Sequence, residues 1–230
     1  MRVALGVLFA VSALCFASSA AARAPDSFDE DYHPPVVVES DQWFAFELRT
    51  GPYRPGTSES FQRVYTDDRG WMLNVELDIT VYHVPYVGQL NIAGGFGWAN
   101  FKAKAFGESG TREGEETEMT LFPLHALGVL RVDALARNTV VPITFAGKLG
   151  YEWTRYKLET GGVSDGSGFR PGLRWGAQAA FELDFFDRGT ARRLDEDWGV
   201  NHNFVLFEYY GSEASGTGDR TYTIGVGTQF

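Results

Sequence analysis

The 230-residue chain carries 30 acidic against 20 basic side chains, a formal net charge of −10, and one cysteine, Cys15. That balance excludes nucleic acid as a partner, because phosphate backbones are held by clustered Lys and Arg. A lone thiol excludes a disulfide framework and a multi-Cys metal site.

The N-terminus, MRVALGVLFAVSALCFASSAAARAP, places Arg2 before an apolar stretch at 3–17 and then small residues. This is the three-part pattern of a secretory signal peptide, and it is shorter than the about 20 residues of a membrane helix. Ala20-Ala21-Ala22 supplies the cleavage site, so residues 1–22 read as the signal and Cys15 as part of its apolar region. Residues 23–42 are acidic, carry Pro34 and Pro35, and read as an extended periplasmic segment.

From 43 to 230 the chain alternates with period two, the pattern of strands with two unlike faces. In 43–49, Phe44, Phe46 and Leu48 oppose Ala45, Glu47 and Arg49. In 72–83, Leu73, Val75, Leu77, Ile79 and Val81 oppose Asn74, Glu76, Asp78, Thr80 and Tyr82. In 88–100, Leu90, Ile92, Phe96 and Trp98 oppose Gln89, Asn91, Gly95 and Gly97. The stretch 117–132 is strongly apolar, but Pro123 interrupts it, which predicts a bulge or kink and leaves its faces unassigned. In 143–154, Phe145, Leu149, Tyr151 and Trp153 oppose Thr144, Lys148, Glu152 and Thr154. In 173–186, Leu173, Trp175, Phe181, Leu183 and Phe185 oppose Arg174, Gln178, Glu182 and Asp184. A seventh strand, 203–210, sets Val205, Phe207 and Tyr209 against Glu208. The eighth, TYTIGVGTQF (221–230), keeps Tyr222, Ile224, Val226 and Phe230 on one face to the last residue.

Eight such strands behind a signal peptide predict an all-β fold, an eight-stranded antiparallel up-and-down transmembrane β-barrel. Connections 50–71, 101–117, 155–172 and 211–220 are long or hydrophilic, as outer loops are. VPYVG (84–88) is tight and 133–140 modest, as periplasmic turns are, and 187–201 reads as a short helical periplasmic turn. An even strand count returns both termini to the periplasmic side of a bacterial outer membrane. Trp43, Trp71, Trp98, Trp153 and Trp175 fall near strand ends, where an aromatic girdle meets lipid headgroups. A soluble eight-stranded barrel of the lipocalin kind reverses the faces. Here the non-apolar face is rich in Gly, Ala and Thr, which suits a narrow interior.

The inward set holds Glu47, Arg49, Glu76, Asp78, Lys148, Glu152, Arg174, Glu182, Asp184 and Glu208. Charges in so small an interior must pair or keep water. A plug of ion pairs, in a barrel with a structural or surface-interaction role, and a narrow conduit or binder for small ions or small molecules are the two readings, and eight strands leave room for little but side chains, which favours the plug. GGFGWA (94–99) lies inside a strand, so its glycines read as close packing in the lumen rather than a nucleotide loop. The histidines are His33, His83, His125 and His202, and none falls with Ser and a carboxylate at the outer rim, so a lipid-modifying enzyme is the weakest alternative. No cofactor or metal ligand set is expected.

FELRTGPYRP (46–55), GEETEMTLFPL (114–124) and ARRLDEDWGVNH (191–202), the last being the most specific, resemble a family of eight-stranded outer-membrane β-barrel proteins found mainly in myxobacteria and related bacteria. The resemblance implies a small barrel in the outer membrane and brings no catalytic residues with it. The terminal strand, with Tyr222, Ile224 and Val226 ahead of Phe230, also resembles the assembly signal of bacterial outer-membrane proteins. It implies the barrel-assembly machinery as a partner; the barrel itself implies outer-membrane lipid, and the sequence names no surface or periplasmic protein partner.

Overall fold

The computed structural model describes residues 42–53, 70–104, 116–139, 141–214 and 219–230. The signal-peptide and N-terminal-segment readings fall outside the described residues, as do connections 54–69, 105–115 and 215–218.

Eight strands form a closed ring: β1 (Phe44–Tyr53), β2 (Gly70–Val84), β3 (Gly88–Lys104), β4 (Glu116–Val132), β5 (Ile143–Thr160), β6 (Val163–Glu182), β7 (His202–Ser212) and β8 (Asp219–Gln229). Each pairs antiparallel with its sequence neighbour. β8 closes on β1 from Ala45↔Gln229 to Thr50↔Ile224. Beyond that ladder the Phe230 N–H donates to the Phe44 carbonyl (2.9 Å) and the Phe44 N–H to the Phe230 carbonyl (2.8 Å). Closure gives the backbone amides of β1 and β8 partners without water, which a chain crossing lipid requires.

The polarity is inside out. On β2, Leu73, Leu77, Ile79 and Val81 face outward while Asn74, Glu76, Asp78 and Thr80 are buried. β1, β5, β7 and β8 repeat this, with Phe46, Leu149, Phe207 and Ile224 outside. In water that exterior would be a continuous apolar patch far larger than a soluble monomer tolerates. In hydrocarbon it is the favourable surface.

One end of the barrel, here the near end, holds Phe44 and Phe230 and the connections β2–β3, β4–β5 and β6–β7. The β2–β3 turn is tight, with Tyr86 at φ 65° and Gly88 at φ 152°. The β4–β5 connection contains a one-turn helix, α1 (Ala134–Asn138). The β6–β7 connection has a 3-10 turn (Leu183–Phe185) and then α2 (Arg188–Trp198), the expected helical turn. Asp187 caps α2 by accepting from the Thr190 N–H at 3.0 Å, and that bond holds its carboxyl below the ordinary value. Gly199, at φ 66°, ends the helix.

Five expectations are corrected. Pro123 makes no bulge. β4 keeps one register against β5 through Pro123↔Thr154, and its burial alternates throughout. Its β3 ladder skips Gly97 and Trp98 and resumes unshifted, since the missing proline N–H costs pairing only on that side. Residues 155–172 are not a loop. β5 and β6 run on to a turn at Gly161-Gly162, and glycine-rich sequence hid the strands. β6 therefore ends at Glu182, and Leu183–Phe185 leave the sheet. Trp175 consequently lies within β6, edge-on to Tyr209. Lastly, a register shift between Thr80 and Tyr82 turns Tyr82 outward.

Candidate functional site in the barrel lumen

Strand alternation carries Glu47 and Arg49 (β1), Glu76 and Asp78 (β2), Lys148 and Glu152 (β5), Arg174 (β6) and Glu208 (β7) into the interior, where all are buried. The Arg49 guanidinium donates to Glu76 Oε2 at 2.7 Å, pairs with Glu208, and lies 3.6 Å from Glu47. The Lys148 ammonium donates to Glu47 Oε2 at 2.9 Å and pairs with Glu76. Arg174 donates to Glu152 Oε2 at 2.8 Å, and Glu152 Oε1 accepts from Ser212 (2.8 Å) and Thr154 (3.0 Å).

Three further members complete it, two of them on β4, whose faces the alternation left unassigned. Arg131, on β4, donates to Glu47 Oε1 and Asp78 Oδ2, both at 3.1 Å. Gln178 donates to Glu47 Oε2 at 2.9 Å. His125, also on β4, lies 2.9 Å by Nε2 from Glu76 Oε2 and 3.2 Å by Nδ1 from Arg174 Nη1. A guanidinium can only donate, so Nδ1 accepts and the proton sits on Nε2, donated to Glu76. A neutral His125 thus joins the Arg174–Glu152 pair to the Glu47–Glu76 cluster. Had the faces of β4 been read through Pro123, Arg131 and His125 would have appeared.

A glycine makes the His125 contact possible. Glu76, Gly95 and His125 are level across β2, β3 and β4. A Cβ on Gly95 would lie 2.5 Å from His125 Nε2, so the imidazole reaches Glu76 only across a residue with no side chain.

Two sequence-expected members lie elsewhere. Glu182 is half-buried at the near end and accepts from the Thr144 hydroxyl at 3.1 Å. Asp184 is in the 3-10 turn beyond the end of β6, where its carboxylate accepts from the Asn203 N–H (3.3 Å) and lies 3.0 Å from His202 Nδ1.

The central layer therefore sets five carboxylates (Glu47, Glu76, Asp78, Glu152, Glu208) against four cations (Arg49, Arg131, Lys148, Arg174). Every carboxylate touches a cation and every cation a carboxylate. Such pairing of opposite charges is what low dielectric demands of buried charge. Carboxylate oxygens of Glu47, Glu76 and Asp78 lie within 4.8 Å of one another, the one grouping among the described residues suited to a cation. Side-chain cations already serve it.

The layers on either side differ. Toward the far end the inward face turns apolar, contrary to a polar interior throughout: Tyr53, Met72, Ala99, Phe101, Met119, Leu121 and Tyr210 pack together. The Tyr210 ring lies under the Arg174 guanidinium at 4.2 Å and joins this layer to the charges. At the near end three amides interlock. Gln89 (2.6 Å) and Gln229 (2.9 Å) donate to Gln42 Oε1, and Gln229 donates to Gln89 (2.8 Å). Arg137 of α1 reaches Gln42 from outside at 3.3 Å.

An eight-stranded ring with an apolar exterior and ion-paired interior defines a small transmembrane β-barrel of the outer-membrane type. The chain is similar to solved structures of Ail, the attachment invasion locus protein of Yersinia pestis. Against Ail in complex with the heparin analogue sucrose octasulfate, identity is 13% and TM-score 0.45, covering 82% of this chain and 97% of that one. Against a second crystal structure of Ail, identity is 14% and TM-score 0.43, covering 84% and 100%. Against its backbone structure in a phospholipid bilayer nanodisc, identity is 13% and TM-score 0.40, covering 83% and 100%. No protein-family model and no curated protein matches the chain.

Proposed function

We propose that this protein is a sealed barrel of the bacterial outer membrane that acts through its outer surface and its contacts with lipid, not through its lumen. The observation that carries the reading is the central charge layer. Glu47 alone is held from β4, β5 and β6, by Arg131, Lys148 and Gln178. Passage of a sugar or amino acid would have to part several charge-assisted bonds at once, then an apolar layer and an amide layer. Both termini face the periplasm in this reading, with the near end inside. The terminal strand, with Tyr222, Ile224, Val226 and Phe230 outward, is the segment the barrel-assembly machinery binds. Membership of the myxobacterial barrel family belongs to the same proposal, as do signal cleavage after Ala22 and the absence of an enzymatic role. Both ring nitrogens of His125 are engaged by charged partners, which leaves none to serve as a catalytic base.

Reconstitution in liposomes tests the seal. Swelling in small sugars and planar-bilayer current should both stay at the protein-free level. Rapid sugar uptake, or steady current that lumen substitutions abolish, would establish a conduit instead.

A further inference from the structure

The outward face of β5 is apolar from Ile143 to Trp153, with Phe145, Leu149, Tyr151 and Trp153 exposed. Those ends are ten residues apart, which at about 3.3 Å per residue and about 40° of tilt spans about 25 Å along the axis. That is the height of a barrel's lipid belt. The next outward residue is Arg155, so its guanidinium stands at headgroup level. Phe122 on β4 and Phe169 on β6 flank it in register. Its Cζ lies over the Phe169 ring, 5.9 Å from the centroid. One outward step farther is Lys157, about 7 Å along the strand.

Two neighbouring cations differ from it. Lys102 is held by Glu118 at 3.2 Å and Glu116 at 3.8 Å, and Lys157 leans on Glu159. Among the described residues Arg155 has no carboxylate partner; an aromatic face packs one side of the guanidinium and leaves its edge donors free. A planar fork of donors at headgroup depth, stacked on a ring and backed by a second cation, matches an anionic phosphate.

We infer that Arg155, with Lys157 behind it and Phe122 and Phe169 beside it, is a binding site for the phosphate of an anionic lipid headgroup in the far-side leaflet. The site rests on the membrane placement proposed above. Phe122 and Phe169 border the first turn of the acyl chain, and the guanidinium takes the phosphate oxygens bidentately. Lys157 exchanges part of its contact with Glu159 for the same phosphate.

Native mass spectrometry of the full-length barrel in detergent, offered phosphatidic acid and phosphatidylcholine together, tests the site. The wild type should retain phosphatidic acid in preference. Arg155→Gln should lower that retention about fivefold, the share of one interfacial cation. Arg155→Lys, which keeps the charge and loses the fork, should fall between. Lys102→Gln, whose ammonium is already committed, should match wild type. Retention unchanged in Arg155→Gln, or lost equally in Lys102→Gln, would overturn the site in favour of diffuse surface charge. Displacement by inorganic phosphate alone would overturn lipid as the ligand. Heat-modifiable gel mobility of each variant shows that it folds. A barrel that inserts into vesicles but shows no lipid preference defeats this inference alone. One that fails to insert defeats the membrane reading beneath it.

Discussion

Replacing Lys148 by methionine removes one cation from the lumen and little volume. Its ammonium is buried between Glu47, at 2.9 Å, and Glu76. Loss of one partner of a buried ion pair costs about 3–5 kcal/mol, because the other charge stays desolvated. Here neither carboxylate is abandoned. Glu47 keeps Arg131 at 3.1 Å and Gln178 at 2.9 Å, and Glu76 keeps Arg49 at 2.7 Å and His125 at 2.9 Å. The expected cost of Lys148→Met is therefore at the lower end, about 3 kcal/mol. Adding Glu47→Gln restores the excess of one acid over the bases, so the double variant should recover at least about 1 kcal/mol relative to the sum of the singles. Urea titration of the refolded barrel, followed by tryptophan fluorescence, measures both quantities. A single-variant loss below about 1 kcal/mol, or strictly additive singles, would refute a mutually dependent network.

Three further outcomes are expected. Leu77, 44% exposed, faces lipid near the middle of β2, whereas Asn74 is 0% exposed; Leu77→Arg should cost about 2–4 kcal/mol in a refolding titration and Asn74→Ser much less, with the reverse order contradicting the facing. Deleting Phe230 removes its closing bonds to Phe44 and its ring contact with that residue at 6.2 Å; cellular assembly should slow more than purified stability falls, and normal outer-membrane levels would remove the signal reading. Gly95→Ala should displace His125 from Glu76, seen as loss of the shielded imidazole N–H resonance, which an unperturbed spectrum would deny.

The barrel was legible because lipid on one side and charge on the other impose a strict two-residue rhythm. That rhythm placed Glu47, Arg49, Glu76, Asp78, Lys148, Glu152, Arg174 and Glu208 on one face, and they are buried together. It weakened where both faces of a strand are apolar. On β4, Met119, Leu121, Leu127 and Val129 point inward and Leu124 and Leu130 outward, so Arg131 and His125 had no contrast to stand against. It overshot at Leu183–Phe185, where alternation of type continues after the backbone has left the sheet, and so carried Asp184 along. Above the lipid there is no apolar solvent to write a pattern, and the β5–β6 extension read as loop. Which charges pair is a property of ring closure. Glu47 and Gln178 are 131 residues apart, and no spacing announces their contact.

Among the described residues, the unequal strand lengths carry the outer part of β6 beyond the end of β7. β6 meets β7 only from Arg174↔Ser212 onward, while it follows β5 all the way out to Val163↔Thr160. Among the described residues, 163–171 therefore form a sheet margin with no ladder to β7, while Gly172 already packs against the backbone of Ala214, and such a margin is a template for a passing strand. The sequence there, VSDGSGFRPG, answers that hazard: Pro171 withholds a donor, Asp165 and Arg170 charge the border, and its three glycines deny an approaching strand side chains to pack on.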